Sequence, residues 1–395
     1  MRLFQKNRNL LIIALIAIVN ALGYGIVIPI LYSYSRRFGL SDFQNGLLFA
    51  IFSLFQFLST PLIGRMSDKY GRRPLLIASI SGTAISFVMM AFAPNAAFLF
   101  IARALDGATA GNIPVALAVI SDTTTTENRS KGFGIIGASF GFGFVFGPAI
   151  SALTVGFFPA LPFIIAATIS LTAVILTALF LPETNKHIGE VKHGKLFNFA
   201  KLWHALFDPN VGLTFLITLF YFFAFFLFIY AFQPYVVKIL KLSVNQIAIL
   251  FTVFGAVGLI MQTFFVQRVA KLFGIKKAFS IALFIASGAF FSLFISGSFV
   301  MFIFSMIILA LANAIVQPLI NTILSLETDA QSQGSILGIN ASYMSIGQIL
   351  GPIVGGAVAT YAINYPFLAG SLIAFFCFVL SFYILKPGIR KESAF

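Results

Sequence analysis

The chain has 395 residues, 59% of them hydrophobic and only 9% charged, with a formal net charge of +14. So apolar a composition excludes an ordinary soluble domain, because repeated apolar stretches of about 20 residues mark membrane spans. Basic residues scattered over short segments exclude a nucleic-acid partner, and one cysteine (Cys377) with three histidines confined to residues 187–204 excludes a disulfide framework and a redox or zinc enzyme.

Twelve apolar runs follow one another, at 10–31, 43–63, 74–93, 97–120, 132–157, 162–182, 210–235, 245–267, 277–296, 299–324, 335–358 and 363–385. Each is near the length that a bilayer-crossing helix needs. The first follows Arg2, Lys6 and Arg8 as a signal-peptide core would, but it is too long for one and has no small-residue cleavage site, so it reads as an uncleaved span. One long connection divides the set. The expected organisation is an all-α membrane protein with an N-terminal six-helix bundle (1–182), a linker (183–209) and a C-terminal six-helix bundle (210–395). In the linker Leu196, Phe199, Trp203 and Leu206 recur at helical spacing among Lys195, Lys201 and His204. That pattern suits an interfacial helix or a flexible tether, and the spacing alone leaves both open.

Lysine and arginine orient the chain. With the N-terminus cytoplasmic, 20 of the 25 fall in cytoplasmic segments and four (Arg36, Arg37, Lys238 and Lys241) in outer loops, with Arg103 inside a span. Both termini are therefore expected in the cytoplasm, and the expected location is the inner membrane.

The halves also repeat. "GRMSDKYGRR" (64–73) between spans two and three has a faded counterpart in "QRVAKLFGIKK" (267–277), Gly71 matching Gly274. Span five carries Gly143, Gly147 and Pro148, and span eleven Gly347, Gly351 and Pro352. Pro114 of span four matches Pro318 of span ten. A near-constant offset across separated features implies an internal duplication, the pattern of transporters with a midplane site between parallel repeats.

Charge within a span is costly and usually serves function. Asp106 is the acid well inside a span, three residues after Arg103 and on the same helical face. Protonating Asp106 would free Arg103 for another partner, a proton switch; a static buried ion pair is the other reading. In-span polar residues are candidates for lining a substrate cavity: Asn20, Tyr24, Gln56, Asn112, Gln233, Gln262, Asn313, Gln317, Asn321 and Gln348. Among them Asn313 and Gln317 share a face. The run "FYFFAFFLFIYAF" (220–232) reads as lipid-facing filler, since the chain has 50 phenylalanines. No set of residues suggests catalysis, and the chain reads as not an enzyme, with no metal or organic cofactor.

These motifs resemble the major facilitator superfamily over the full length. Its loop signature G-x-x-x-D-x-x-G-R-R stands intact as Gly64, Asp68, Gly71, Arg72 and Arg73, and its span-four R-x-x-x-G element as Arg103 to Gly107. "SDTTTTENRSKGFG" (121–134), with Asp122 and Arg129, looks like the next loop's pattern. "GASFGFGFVFGP" (137–148), from Gly137 to Pro148, is similar to the antiporter motif of the drug/proton antiporter branch, and "LPET" (181–184) to a common ending of span six there. Spans four and five look most like tetracycline-resistance-type exporters. The resemblance implies twelve helices in two bundles, alternating access, and a latch in which Asp68 faces the start of span eleven and the arginines reach Asp122. It implies a role for Arg103 in coupling or substrate binding, and an export role for the glycines of span five. Gly64 would permit tight helix contact.

Two departures matter. Asn20 stands where relatives often carry an acid, and spans seven to twelve read as containing none, which argues against a metal-chelated tetracycline as substrate. The leading expectation is proton-coupled export of a hydrophobic or amphiphilic small molecule, with protons, the substrate and the bilayer as partners and a monomer as the working unit. Import or facilitated passage of a metabolite is the alternative; a non-transporting scaffold or receptor is the remote one.

Overall fold

A computed structural model describes residues 2–123, 126–185, 188–189, 199–329 and 332–384, without the side chains of 2–10 and 126–137. The helices in chain order are α1 (Arg2–Arg36), α2 (Asp42–Tyr70), α3 (Arg72–Ala91), α4 (Ala96–Thr109), α5 (Asn112–Thr123), α6 (Thr126–Thr154) and α7 (Leu161–Phe180). A short α8 (Phe199–Ala205) precedes α9 (Gly212–Lys238) and α10 (Val244–Ile260). A π-helical turn (Met261–Phe265) leads into α11 (Val266–Phe273), followed by α12 (Ile275–Phe294), α13 (Phe299–Glu327), α14 (Gln333–Ala359) and α15 (Tyr365–Ser381).

Helices dominate because a membrane supplies no water to satisfy backbone polar groups, so each segment must satisfy its own. Ten helical segments are long and apolar enough to cross a membrane, α4–α5 and α10–α11 each counting as one. Two apolar helices, Ala138–Thr154 and Tyr365–Ser381, are shorter. Hydroxyls inside the helices fold back on their own backbone, as Thr154 does on Ile150 O at 2.6 Å and Thr252 on Ala248 O at 2.9 Å.

The chain forms two compact units. Unit 1 comprises 1–40, 51–197 and 243–252, and unit 2 comprises 41–50, 198–242 and 253–395. The main division falls within the expected linker, but the first turns of α2 belong to unit 2 and those of α10 to unit 1. Side-chain chemistry explains the first assignment: Asp42 pairs with Lys238 at 2.5 Å, the Tyr230 hydroxyl donates to Asp42 O, and a Cβ on Gly46 would lie 3.2 Å from the Gly356 Cα. For the second, Asn245 Nδ2 donates to Ala152 O at 2.5 Å.

Unit 1 is centred on α1, α3, α5 and α7, where Ile13, Ile16, Leu76, Ile80, Val119 and Leu181 form one apolar core. Unit 2 is built around α9. The aromatic run expected to face lipid is instead its core: Phe228 and Phe232 are fully buried, Phe228 meeting Phe254, Phe290 and Phe367 and Phe232 meeting Phe302. Edge-on ring contacts let many phenylalanines pack densely around one helix, which composition alone does not reveal.

Three further features differ from the expectations. The "GRMSDKYGRR" segment is not a loop; it is the end of α2 and the start of α3 with Gly71 alone between them. Gly71 (φ 104°, ψ 157°) and its counterpart Gly274 (φ 79°, ψ 150°) adopt the same backbone region, which is open essentially to glycine alone. Span four is broken after Thr109, whereas Pro318 sits inside the unbroken α13. Finally, an acid does close one C-terminal-half helix: Glu327 ends α13 and accepts from the Thr214 hydroxyl at 2.7 Å.

Candidate functional site

The break between α4 and α5 follows from local sequence. Pro114 cannot donate to Ala110 O, and Gly107 and Gly111 weaken the helix on either side. Hydroxyls of neighbouring helices take up freed carbonyls: Ser79 donates to Thr109 O and Ser59 to Gly107 O at 3.1 Å. Interrupted spans stabilised in this way commonly line binding sites.

Arg103 and Asp106 lie one turn before the break, both buried, with Nη1 donating to Oδ2 at 3.0 Å. The guanidinium also stacks 4.4 Å above the Phe52 ring of α2, a contact that strengthens when water is excluded. Phe52 lies 6.0 Å from the Tyr24 ring, which meets Phe144 of α6 edge-on. Gln56, one turn beyond Phe52, is half-buried. At the start of α5, Asn112 Nδ2 donates to Asn20 Oδ1 at 3.0 Å, and Asn20 in turn donates to Ile16 O at 2.8 Å. Within these two pairs, Arg103 Nε and Asn112 Oδ1 are buried with no partner among the described residues. Unit 1 therefore concentrates a charge pair, an amide pair and an aromatic wall around one broken helix, from residues that the spans contribute separately.

In unit 2 the polar residues expected to line a cavity are uncharged. Asn313 Oδ1 accepts from the Tyr221 hydroxyl at 3.2 Å and from Gln317 Nε2 at 3.3 Å. One turn further along α13, Asn321 Oδ1 accepts from Asn340 Nδ2 of α14 at 3.1 Å, and Asn340 Oδ1 is buried without a partner among the described residues. Tyr221 and Asn340 are additions to the cavity candidates; Asn340 had the same signal as the others, a polar residue within an apolar run. Gln233 is fully buried, and Gln262 is exposed within the π-helical turn.

The glycines of span five place α6 on α1. A Cβ on Gly25 would lie 2.5 Å from Gly143 O, and one on Gly147 would lie 2.7 Å from Gly25 Cα. Pro148 stands against Gly25, and Ser151 donates to Ile26 O at 2.8 Å. Gly347 and Gly351 do the same for α14 on α9, against Phe223 N and Leu227 N at 2.7 Å, and Pro352 backs onto Gly46. The side chains of Gly137's neighbourhood and of Arg129 lie outside the described residues.

At the α2–α3 junction Arg72 does reach Asp122, Nε to Oδ2 at 3.3 Å, and its Nη1 also meets Asp68 Oδ1 at 2.6 Å. Arg73 does not reach that acid; its guanidinium donates to Ala178 O. The tight contact expected at Gly64 is absent: a Cβ there would meet nothing within 4 Å among the described residues, and Gly64 O merely accepts from Ser67 Oγ at 2.7 Å. Glu183, the acid of the "LPET" segment, stands at this junction and accepts from Arg72 N at 2.9 Å.

Comparison with known proteins agrees with this architecture. The family model of the Major Facilitator Superfamily matches twice, over residues 13–232 and 214–394, as a duplicated chain should. The class B tetracycline resistance protein of Escherichia coli is 29% identical, over 98% of this chain and 100% of its own. Multidrug resistance protein 1 of Bacillus subtilis is 30% identical, over 92% of each. In fold, the chain is similar to a bacterial homologue of the human lysosomal transporter Spinster (TM-score 0.80, 17% identity, 96% of this chain and 98% of that one). It is also similar to the human organic anion transporter MFSD10 (TM-score 0.73, 21% identity, 95% and 99%). A duplicated, multi-pass helical chain with a charge pair inside a broken span, and with relatives of the drug-efflux type, belongs to the Major Facilitator Superfamily.

Proposed function

We propose that the protein is an inner-membrane exporter that exchanges protons for a hydrophobic or amphiphilic small organic molecule by alternating access. All twelve apolar segments would cross the membrane with both termini in the cytoplasm, as the bias of lysine and arginine favours. The observation that carries the reading is the buried Arg103–Asp106 pair beside the break in span four. With Asp106 ionised the pair is neutral overall; a proton arriving on Asp106 removes the partner of Arg103 and leaves an uncompensated buried cation. That state is costly enough to drive a change of conformation. The uncharged ladder of Asn313, Gln317, Asn321 and Asn340 offers hydrogen bonds to a neutral or amphiphilic substrate without competing for the proton.

The test is transport in proteoliposomes under an imposed pH gradient, with ethidium as the probe. Asp106→Asn is expected to reduce uphill movement at least about tenfold, the scale of losing one protonation-dependent interaction, while downhill exchange persists. Uphill transport by Asp106→Asn at the wild-type rate would remove Asp106 from the coupling role, and wild-type flux indifferent to a protonophore would replace antiport with facilitated passage.

A further inference from the structure

Just beyond α7, the Glu183 carboxylate gathers four backbone N–H groups. Arg72 N donates to Oε1 at 2.9 Å and Arg73 N to Oε2 at 3.1 Å, while Thr184 N and Asn185 N donate to Oε1 at 2.9 and 2.8 Å. The first pair belongs to the opening turn of α3, where donors have no partner within the helix and the helix dipole favours an anion. The residue preceding α3 is Gly71, which has no side chain to cap with. Its bareness also makes room: a Cβ on Gly71 would lie 2.9 Å from the Glu183 carboxyl carbon.

The same stretch of chain holds the other side of the junction. Asn185 Nδ2 donates to Asp68 O at 3.0 Å, Gly189 N donates to the same carbonyl at 3.3 Å, and Arg73 reaches Ala178 O. Ala178, Glu183, Asn185 and Gly189 thus grip the end of α2 and the start of α3 at once. Between these anchors the Arg72 guanidinium meets Asp68, Asp122 and the Ser67 hydroxyl.

The second repeat isolates what Glu183 adds. Gly274 makes the same glycine-only kink, yet no side chain caps α12, and a Cβ on Gly274 would meet nothing within 4 Å among the described residues. At the repeat offset from Glu183 the sequence has Pro387, and where Asp68 stands it has Lys271. The kink is a property of the duplicated fold; the carboxylates are a property of one half.

We infer that Glu183 is the positioning residue of the Asp68–Arg72–Asp122 network, fixing the start of α3 so that one guanidinium bridges both acids. Its functional meaning, that this network latches one transport state, rests on the exporter reading above. Glu183 itself touches neither substrate nor proton path.

Two measurements on the full chain separate the inference from that reading. In lipid nanodiscs, Glu183→Gln is expected to speed amide hydrogen exchange at Arg72 and Arg73 about tenfold or more, the scale of losing a charge-assisted hydrogen bond, with exchange across 212–238 unchanged. In proteoliposomes with ethidium, Glu183→Gln and Asp68→Asn should each lower the maximal rate at unchanged KM. The double variant should be no slower than the slower single, because both disable one unit. Unaltered exchange at Arg72 and Arg73, an additive fall in the double variant, or a raised KM would overturn the inference. Wild-type protein that fails to move the probe counts against the exporter reading, and the exchange measurement then decides Glu183 by itself.

Discussion

Gly71 and Gly274 separate two reasons for a glycine. Both occupy a backbone region that costs other residues about 1–3 kcal/mol, but only Gly71 also leaves room for a carboxylate. Gly71→Ala is therefore expected to lower thermal stability more than Gly274→Ala, and to loosen α3 as Glu183→Gln does; equal midpoint shifts for the two alanine variants would refute the added steric role. Arg103 shows a different economy. It is tolerated inside a span because Asp106 and the Phe52 ring together replace the water it gave up. The pairing at i,i+3 was legible in sequence. The ring of Phe52, from another helix, was not.

Among elements, α6 against α1 and α14 against α9 are close helix pairs that glycines allow. At Gly147 an added side chain meets the Gly25 backbone at 2.7 Å, and backbone cannot rotate out of the way. Gly147→Val should cost several times what Gly258→Val does, since nothing lies within 4 Å of a Cβ at Gly258 among the described residues; overpacking of this kind is worth about 1–3 kcal/mol. Thermal midpoints in the same detergent read the difference. Element α8 covers the linker pattern from Phe199 onward, while Lys195 and Leu196 lie outside the described residues. It is a helix seated on α14, where Lys201 Nζ meets Ser335 Oγ at 2.8 Å and the Tyr343 hydroxyl donates to Leu202 O, with Phe199, Trp203 and Phe207 exposed. Exposed aromatics beside a membrane span suit the headgroup layer. Trp203 is the only tryptophan, so its emission should be blue-shifted in vesicles and quenched by lipids brominated near the headgroup. Emission typical of water, indifferent to those lipids, would return α8 to the aqueous phase.

For the molecule as a whole, the division into units does not follow the chain. Residues 41–50 leave the half that encodes them and join unit 2, where the buried Asp42 takes Lys238 as its partner. Asp42 is buried and Lys238 exposed, so removing the lysine strands a buried carboxylate. Asp42→Asn and Lys238→Met are each expected to destabilise the protein, and together to cost less than the sum by about 1 kcal/mol or more, the scale of coupled neighbours. Strict additivity in thermal midpoints would show that the pair contributes nothing jointly.

The sequence by itself determined the class of this protein, the positions of its helices, the duplication and the acid–base pair of span four, because each is written in local composition or in spacing along one helix. Hydrophobic run length locates the apolar helical segments, and i,i+3 geometry sets Arg103 beside Asp106. Only the tertiary structure decided which aromatic residues are core rather than lipid-facing, that span four is broken while span ten is not, and that Asp42 belongs with Lys238. It alone also showed that Glu183 caps a helix more than a hundred residues before it in the chain. Those outcomes depend on which helices become neighbours, and a neighbour's ring, hydroxyl or carboxylate leaves no mark on the periodicity of the segment it contacts.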